Sequence, residues 1–242
     1  MKPSEYTFRF YRDWQKPADL LSFSIKIKET DLQIYADEDV SEIALRLTAL
    51  YREQIEETVR NYPCFLSSLI PINISSPYDI INRMVEKSSL AGVGPMAGVA
   101  GAIAEFVGNA LLSYCKELII ENGGDIFIKS SKDRKILIYA GEDSPFKNKL
   151  GIRLRGGEKP RGICTSSGQI GHSLSFGKTD ATIIIAHSAI TADVFATATG
   201  NIVKSEDDID NALNFAERSG EVSGAIILIG KKIGVWGDVE FI

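Results

Sequence analysis

Four short segments of the chain carry residue types suited to binding or transforming a small molecule. In Thr191-Ala-Asp193-Val-Phe-Ala-Thr197 an aspartate and a threonine stand four residues apart, so on a helix both project from one face. A carboxylate with a hydroxyl is oxygen ligation suited to Mg²⁺, which commonly takes one or two carboxylates completed by water and substrate phosphates. The same spacing equally fits an aspartate near a helix start, stabilised by the helix dipole. Gly162-Ile-Cys164-Thr165-Ser166-Ser167-Gly168 sets hydroxyls and a thiol in a glycine-bounded loop at the end of a short strand, an array of donors for a polar ligand. Cys164 as nucleophile with His172 as base is a second reading of that loop, but no third group is visible to orient the base, and a buried thiol is usually inert. His187, the other histidine, ends an apolar run and reads as a strand-end residue.

The remaining two segments are rich in glycine. Asn122-Gly123-Gly124-Asp125 follows the apolar run Leu118 to Ile120, and Asn-Gly is a strong two-residue hairpin signal, so a tight turn between two strands is expected, with glycine amides exposed to an anion. Gly92-Val-Gly94-Pro-Met-Ala97-Gly98 enters a helix, where free N–H groups and the positive helix end favour a phosphate. Three readings stand there: an anion or metal site, close packing of backbone against a neighbour, and a dinucleotide fingerprint with Glu121 as its ribose-binding acid. The fingerprint needs a strand immediately before it, and Val85 to Ser89 is too polar for one.

The elements that must position these residues are readable from periodicity. Tyr6 to Phe10, Phe23 to Ile27 and Leu32 to Tyr35 read as strands. Ile43, Leu47, Leu50, Tyr51, Ile55, Val59 and Tyr62 recur at helical spacing until Pro63, and Tyr78 to Ser89 and Pro95 to Cys115 give further helical patterns. From Leu118 strands dominate. Ile126 to Ile128, Ile136 to Tyr139 and Ile152 to Leu154 have period-two character, whereas Thr182 to Ala186 and Ala225 to Ile229 are continuous apolar runs, as in strands buried on both faces. Two helices, Ala189 to Val203 and Ser205 to Ser219, lie between those runs. Strands, helices, strands, helices and strands, without regular βαβ alternation, predict an α+β fold in a single domain over residues 1–242, or two closely packed lobes.

Composition narrows the partners. The 242 residues carry 27 Lys and Arg against 32 Asp and Glu, a net charge of −5, without the basic block that nucleic acid or an anionic membrane requires. Three cysteines at irregular spacing fit reduced thiols in the cytoplasm better than a disulfide framework, and the first 21 residues carry no secretory core. Leu90 to Leu112 has one charge, Glu105, and the length of a membrane span, but five glycines and a proline favour a helix buried inside the fold. Exposed sheet edges would be hidden in a homodimer.

Together these segments and their order resemble the ApbE-like superfamily, whose best-known members are FAD:protein FMN transferases. The resemblance runs from about Gly92 to Thr199. Arg9-Phe-Tyr-Arg12, Glu29-Thr-Asp-Leu32 and Gly94-Pro-Met-Ala97 add a similarity to its cytoplasmic branch. The resemblance implies a T-fold-like α+β architecture of mostly antiparallel sheets covered by helices. It implies Mg²⁺ held by Asp193 and Thr197, with the backbone carbonyl of Ala97 as a third ligand. A pocket for FAD, FMN or a related phosphorylated ligand would be lined by Gly94, Gly123, Gly124, Asp125, Thr165, Ser167 and Gly168. In the transferases the metal neutralises the FAD pyrophosphate while a target hydroxyl attacks the FMN phosphorus. The chain departs from that pattern twice. Gly94-Pro-Met-Ala-Gly98 stands where a Gly-Gly-x-Ala-Lys-Gly run carries a lysine, and Ser173-Leu-Ser-Phe-Gly177 stands where Asp-Pro precedes Thr-Gly. The expectation is a cytoplasmic Mg²⁺-dependent enzyme that binds a flavin nucleotide or related phosphorylated ligand, with flavin transfer one reaction it could carry out. The alternatives are a flavin-binding accessory protein without transfer, or a non-transferase role in sulfur assimilation and homocysteine formation.

Overall fold

The computed structural model describes residues 17–141, 144–146, 150–168 and 176–242. The strand expected at Tyr6 to Phe10, the Arg9 to Arg12 run and His172 lie outside them. Along the chain run β1 (Leu21–Ile27), β2 (Thr30–Ala36), α1 (Ser41–Asn61), a single turn α2 (Cys64–Ser67), α3 (Asp79–Ala91), a 3-10 turn (Pro95–Gly98) and α4 (Val99–Leu111). There follow β3 (Leu118–Asn122), β4 (Asp125–Lys129), β5 (Arg134–Leu137), β6 (Gly151–Leu154), β7 (Arg161–Ser166) and β8 (Ala181–Ala186). The chain then forms α5 (Ala189–Ile202), a second 3-10 turn (Glu206–Asp208), α6 (Ile209–Arg218), β9 (Val222–Ile229), β10 (Lys232–Gly237) and β11 (Glu240–Phe241).

Eight strands form one sheet in the order β1-β2-β3-β4-β7-β8-β9-β10, and three form a second, β11-β6-β5. Every described pairing is antiparallel. Period-two alternation decides what each face meets. Ile120, Phe127, Cys164 and Ile184 join the core under the helices, while Ile119, Ile126, Ile163, Ile183 and Ile185 join a second core that also contains Ile136, Ile152 and Leu154 from the small sheet. The continuous apolar runs thus mark strands covered twice, by helices on one side and by a sheet on the other. This is the expected α+β, T-fold-like architecture. Its antiparallel order also removes the dinucleotide-fingerprint reading, since α4 is not the crossover of a parallel βαβ unit.

The apolar stretch Leu90 to Leu112 is broken. Gly92 ends α3 in the left-handed region at φ +74°, with the Val93 amide donating back to the Ser88 carbonyl at 3.0 Å. No single helix among the described residues is long and apolar enough to cross a membrane; α3 and the segment Pro95–Leu111 pass that test only together, bent by 106°. The glycines beyond the bend pack closely. A Cβ on Gly98 would strike Val194, one on Gly101 the Ala189 carbonyl and Asp193, and one on Gly108 the Phe127 ring. They let α4 approach α5 on one side and the sheet on the other.

Helix α5 is buried without interruption from Ala189 to Gly200 and lies on β7 and β8, with α3, α4 and α6 around it. Its first amides therefore need acceptors supplied by protein. Ser188 accepts from the Thr191 amide, and Glu105 of α4 accepts from the Ile190 amide at 3.1 Å and the Ser188 hydroxyl at 2.6 Å. In return, Asp193 of α5 accepts from the Gly101 amide at 2.9 Å and from the Ala100 amide, at the start of α4. Each helix thus caps the other with a carboxylate.

The two sheets are tied by Arg134. Its guanidinium reaches Asp19 at 2.6 Å and Glu117 at 3.1 Å, and its Nε donates to Ser130 at 2.8 Å, joining β5 to the ends of β1, β3 and β4. Partial burial opposes the Glu117 charge, but hydrogen bonds from Ser130, Ser131 and Arg134 outweigh it and hold the carboxyl down to about 2. Because the folded pKa lies below the unfolded one, this stabilisation is complete above about pH 4.5 and disappears as pH falls toward 2. Arg134→Leu should cost about 3 kcal/mol at pH 7, and the difference from wild type should shrink across that acidic window in urea titrations. For the helix pair, Glu105→Ala should destabilise by about 2–3 kcal/mol in the same assay, because it leaves buried donors at the start of α5 unpaired.

Candidate functional site

The sheet order brings three of the four segments into one place. The β3–β4 hairpin closes through Gly123 and Gly124, at φ +71° and +104°, with Asn122 paired to Asp125. The central pair of the turn is therefore Gly-Gly, and Asn122 flanks it. Its side-chain amide donates to the Ala100 carbonyl at 3.1 Å, fastening the hairpin to the start of α4. Strand β4 lies beside β7 with Ile126 opposite Ile163. Extending that register by one residue sets Asp125 against Cys164, whose face of the sheet is covered by α5. The fourth segment arrives from above: the 3-10 turn holding Ala97 packs on α5, and Gly98 lies against Ile190 and Val194.

Two carboxylates meet there. Asp125 and Asp193 are both buried, at 7% and 8% exposure, and Thr197 is buried one helical turn beyond Asp193. Burial pushes Asp125 well above the ordinary carboxylate range, and the neighbouring charge of Asp193 pushes it further; the Cys164 thiol and the Thr165 amide, at 3.3 Å, oppose the shift. Burial raises Asp193 to about 7 against the opposing amides of Gly101 and Ala100. Neither forms an ion pair with a described residue. Among the described residues no three His, Cys, Asp or Glu side chains converge as a metal cluster. A pair of carboxylates with a threonine hydroxyl is nonetheless the donor chemistry that Mg²⁺ uses, since water and ligand oxygens complete its shell.

Asp193 does cap a helix start, as one sequence reading held, but the start belongs to α4 and not to its own helix. The α4 amides at Ala100 and Gly101 are thereby engaged with a carboxylate of the protein. Gly94 lies with its backbone against Ser68, so closely that a Cβ would overlap the Ser68 carbonyl. Gly124 donates its amide to Glu121 at 2.8 Å and faces open space. Thr165 shares the strand face of Ile163, away from α5, and meets Asp125 through its amide. Ser167 follows the strand half-buried, and Gly168 is exposed, its amide donating to the Thr179 carbonyl at 3.0 Å.

The nucleophile reading of Cys164 is not supported. The thiol is fully buried, with burial foremost and the Asp125 and Asp193 charges next in raising its pKa, so it stays protonated. Its one proton has two acceptors in reach, the Asp125 carboxylate and the Ala189 carbonyl at 3.3 Å. His187 is exposed in the bend before α5. One residue escapes the sequence reading: Glu105, the lone charge of an apolar stretch, which is itself the signal that a partner must exist. Ser166 is one of the hydroxyls of the glycine-bounded loop, and alternation from apolar Cys164 places its side chain toward α5.

Comparison with known proteins agrees with this architecture. A family model described as AbpE bacteria matches residues 12–220. A UPF0280 protein of Methanococcus aeolicus is 37% identical over 223 residues, covering 89% of each chain. A UPF0280 protein of Methanocaldococcus jannaschii is 37% identical over 227 residues, covering 89% of this chain and 90% of that one. Among solved structures, the apo flavinyl transferase ApbE of Pseudomonas stutzeri superposes with a TM-score of 0.63 at 14% identity, over 90% of this chain and 93% of that one. The flavin transferase ApbE of Vibrio cholerae gives 0.53 at 14% identity, over 93% and 98%. At such identities the shared property is the fold. With the family model spanning most of its length, the chain belongs to the AbpE bacteria family, and it shares the fold of the ApbE flavin transferases.

Proposed function

We propose that this protein uses its ApbE-like pocket to hold Mg²⁺ with a flavin nucleotide or related phosphorylated ligand, and that it acts without transferring FMN to a protein. The observation that carries the reading is the buried pair Asp125 and Asp193, two neighbouring carboxyl groups in an apolar setting with no ion-pair partner among the described residues. Such a pair is stabilised by a shared cation, and Asp193, Thr197 and the Ala97 carbonyl would hold it. Bound there, Mg²⁺ would neutralise charge on the ligand's phosphates. The chain's own groups do the rest. The Thr165 amide and the Cys164 thiol hold Asp125 in place, the Gly101 amide orients one oxygen of Asp193, and the glycine turn leaves room for a ligand beside them.

The loop that carries a lysine in the transferases favours a role without transfer. In this chain that loop has no cation, and Gly94 is packed on Ser68. The similar proteins of Methanococcus aeolicus and Methanocaldococcus jannaschii are named UPF0280 and not flavin transferases, which leaves room for a second reading, a part in homocysteine formation in anaerobes. A deletion strain that needs added homocysteine or methionine would favour it, and normal growth without them would count against it.

Thermal unfolding tests the pocket. Millimolar Mg²⁺ should raise Tm, and Mg²⁺ with saturating FAD should raise it by about 5–10 °C in total. Asp193→Asn, which keeps an oxygen for the Gly101 amide, should fold but lose both shifts. Incubation with FAD and Mg²⁺ should release no AMP. Absence of any shift in the wild type would sink the pocket reading, and AMP release with covalent FMN would restore transfer.

A further inference from the structure

We infer that Ser166 donates its hydroxyl to a phosphate oxygen of the ligand, seated between the β3–β4 turn and the Thr197 turn of α5. The inference rests on the pocket reading above and gives one hydroxyl of the glycine-bounded loop at 162–168, which the pocket lining implied by the resemblance omits, a defined partner. Ser166 is 8% exposed, and its Oγ is one of four buried side-chain atoms without a hydrogen-bond partner among the described residues. The others are Arg52 Nε and the hydroxyls of Thr191 and Thr199; Ser166 alone lies on β7, the strand that carries Cys164 beside the carboxylate pair. A buried hydroxyl without a partner costs free energy, so its retention points to an acceptor that arrives from outside.

Its surroundings say where that acceptor sits. Ser166 shares the α5-facing side of β7 with Cys164, about 7 Å further along the strand. Thr197 stands about 6 Å beyond Asp193 along α5. Helix and strand run together, since Gly162 and Cys164 touch Ala189 at the helix start while Thr182, opposite Ser166, lies against Gly200 near its end. As Asp193 lies over Cys164, the Thr197 turn therefore lies over Ser166. The pairing confirms the level: Ser166 is opposite Thr182, and a Cβ on Gly200 would come within 3.2 Å of the Thr182 hydroxyl. Thr182 donates its hydroxyl to Thr179 at 3.1 Å and makes no hydrogen bond with Ser166. On the other flank β4 has ended. The register that sets Asp125 against Cys164 brings the Gly123-Gly124 turn beside Ser166, and the turn carries no side chain; around Gly124 a Cβ would meet nothing within 4 Å. The hydroxyl thus lies enclosed and unpaired beside the glycine turn, next to the threonine assigned to the cation.

The experiment titrates FAD, inorganic pyrophosphate and riboflavin, each with Mg²⁺, into the wild type, Ser166→Ala and Asp193→Asn. Loss of a hydrogen bond to a charged acceptor should weaken FAD and pyrophosphate binding to Ser166→Ala about tenfold or more, and leave riboflavin, which has no phosphate, unchanged. The unliganded variant should melt at the wild-type temperature or slightly above it, because a buried donor without a partner has been removed. Wild-type affinity of Ser166→Ala for FAD, with binding lost in Asp193→Asn, would overturn the assignment and leave the cation pocket standing. An equal loss for riboflavin would overturn it as a change of shape. If the wild type binds neither FAD nor pyrophosphate, the pocket reading and the assignment fall together.

Discussion

The site depends on two carboxylates exchanged between neighbouring helices. Helix α5 is buried on all sides, so the amides of its first turn have no water to turn to, and Glu105 of α4 supplies the acceptor. Helix α4 begins at a 3-10 turn without a side-chain cap of its own and takes Asp193 from α5. Neither helix start is satisfied unless the other helix is in place. The lock also fixes how far α5 slides along β7 and β8, hence where Asp193 and Thr197 stand above Cys164 and Ser166. The close contacts of Gly98 and Gly101 with α5 serve the same end, because any side chain there would push the carboxylates away from the amides they cap.

Local signals in the sequence were sufficient for much of this arrangement. The helical spacing from Ile43 to Tyr62, the Ser205 start of the segment leading into α6 and the two-residue turn before Asp125 all correspond to observed elements. Ser205 and Asp208 form a reciprocal capping box there. The small sheet was not legible as a sheet. Its strands β5 and β6 are four residues each, and its edge β11 returns from the far end of the chain, so its pairings carry no local signature. Strand β10 was missed for a related reason: Lys232-Ile-Gly-Val-Trp-Gly237 is an edge with two glycines and exposed Ile233 and Val235.

For the site, residue types were legible and partners were not. Asp193 and Asp125 stood out as carboxylates in ligand-like settings, yet the partner of Asp193 is an amide 92 residues earlier. Nothing in Thr191 to Thr197 points to it. Thr165 and Ser166 show the opposite case. Both are hydroxyl residues in the same run, but β7 alternates about apolar Ile163 and Cys164, which turns Thr165 toward the small sheet and Ser166 toward α5. The parity was readable; the identity of each covering layer was not.

The electrostatics of the pocket then constrain what can enter it. A phosphate at the start of α4 would ordinarily be drawn by free helix amides, but those amides face Asp193. The lysine of the transferase loop is absent, and the chain as a whole is acidic. An anion placed beside Asp125 and Asp193 without a counterion would meet a region where burial already disfavours negative charge and raises both carboxyl pKa values. A divalent cation reverses that balance, since it attracts the two carboxylates and the phosphate alike. On the proposed reading, cation and phosphorylated ligand are therefore coupled: each would make the charge of the other tolerable, and their binding would be mutually reinforcing.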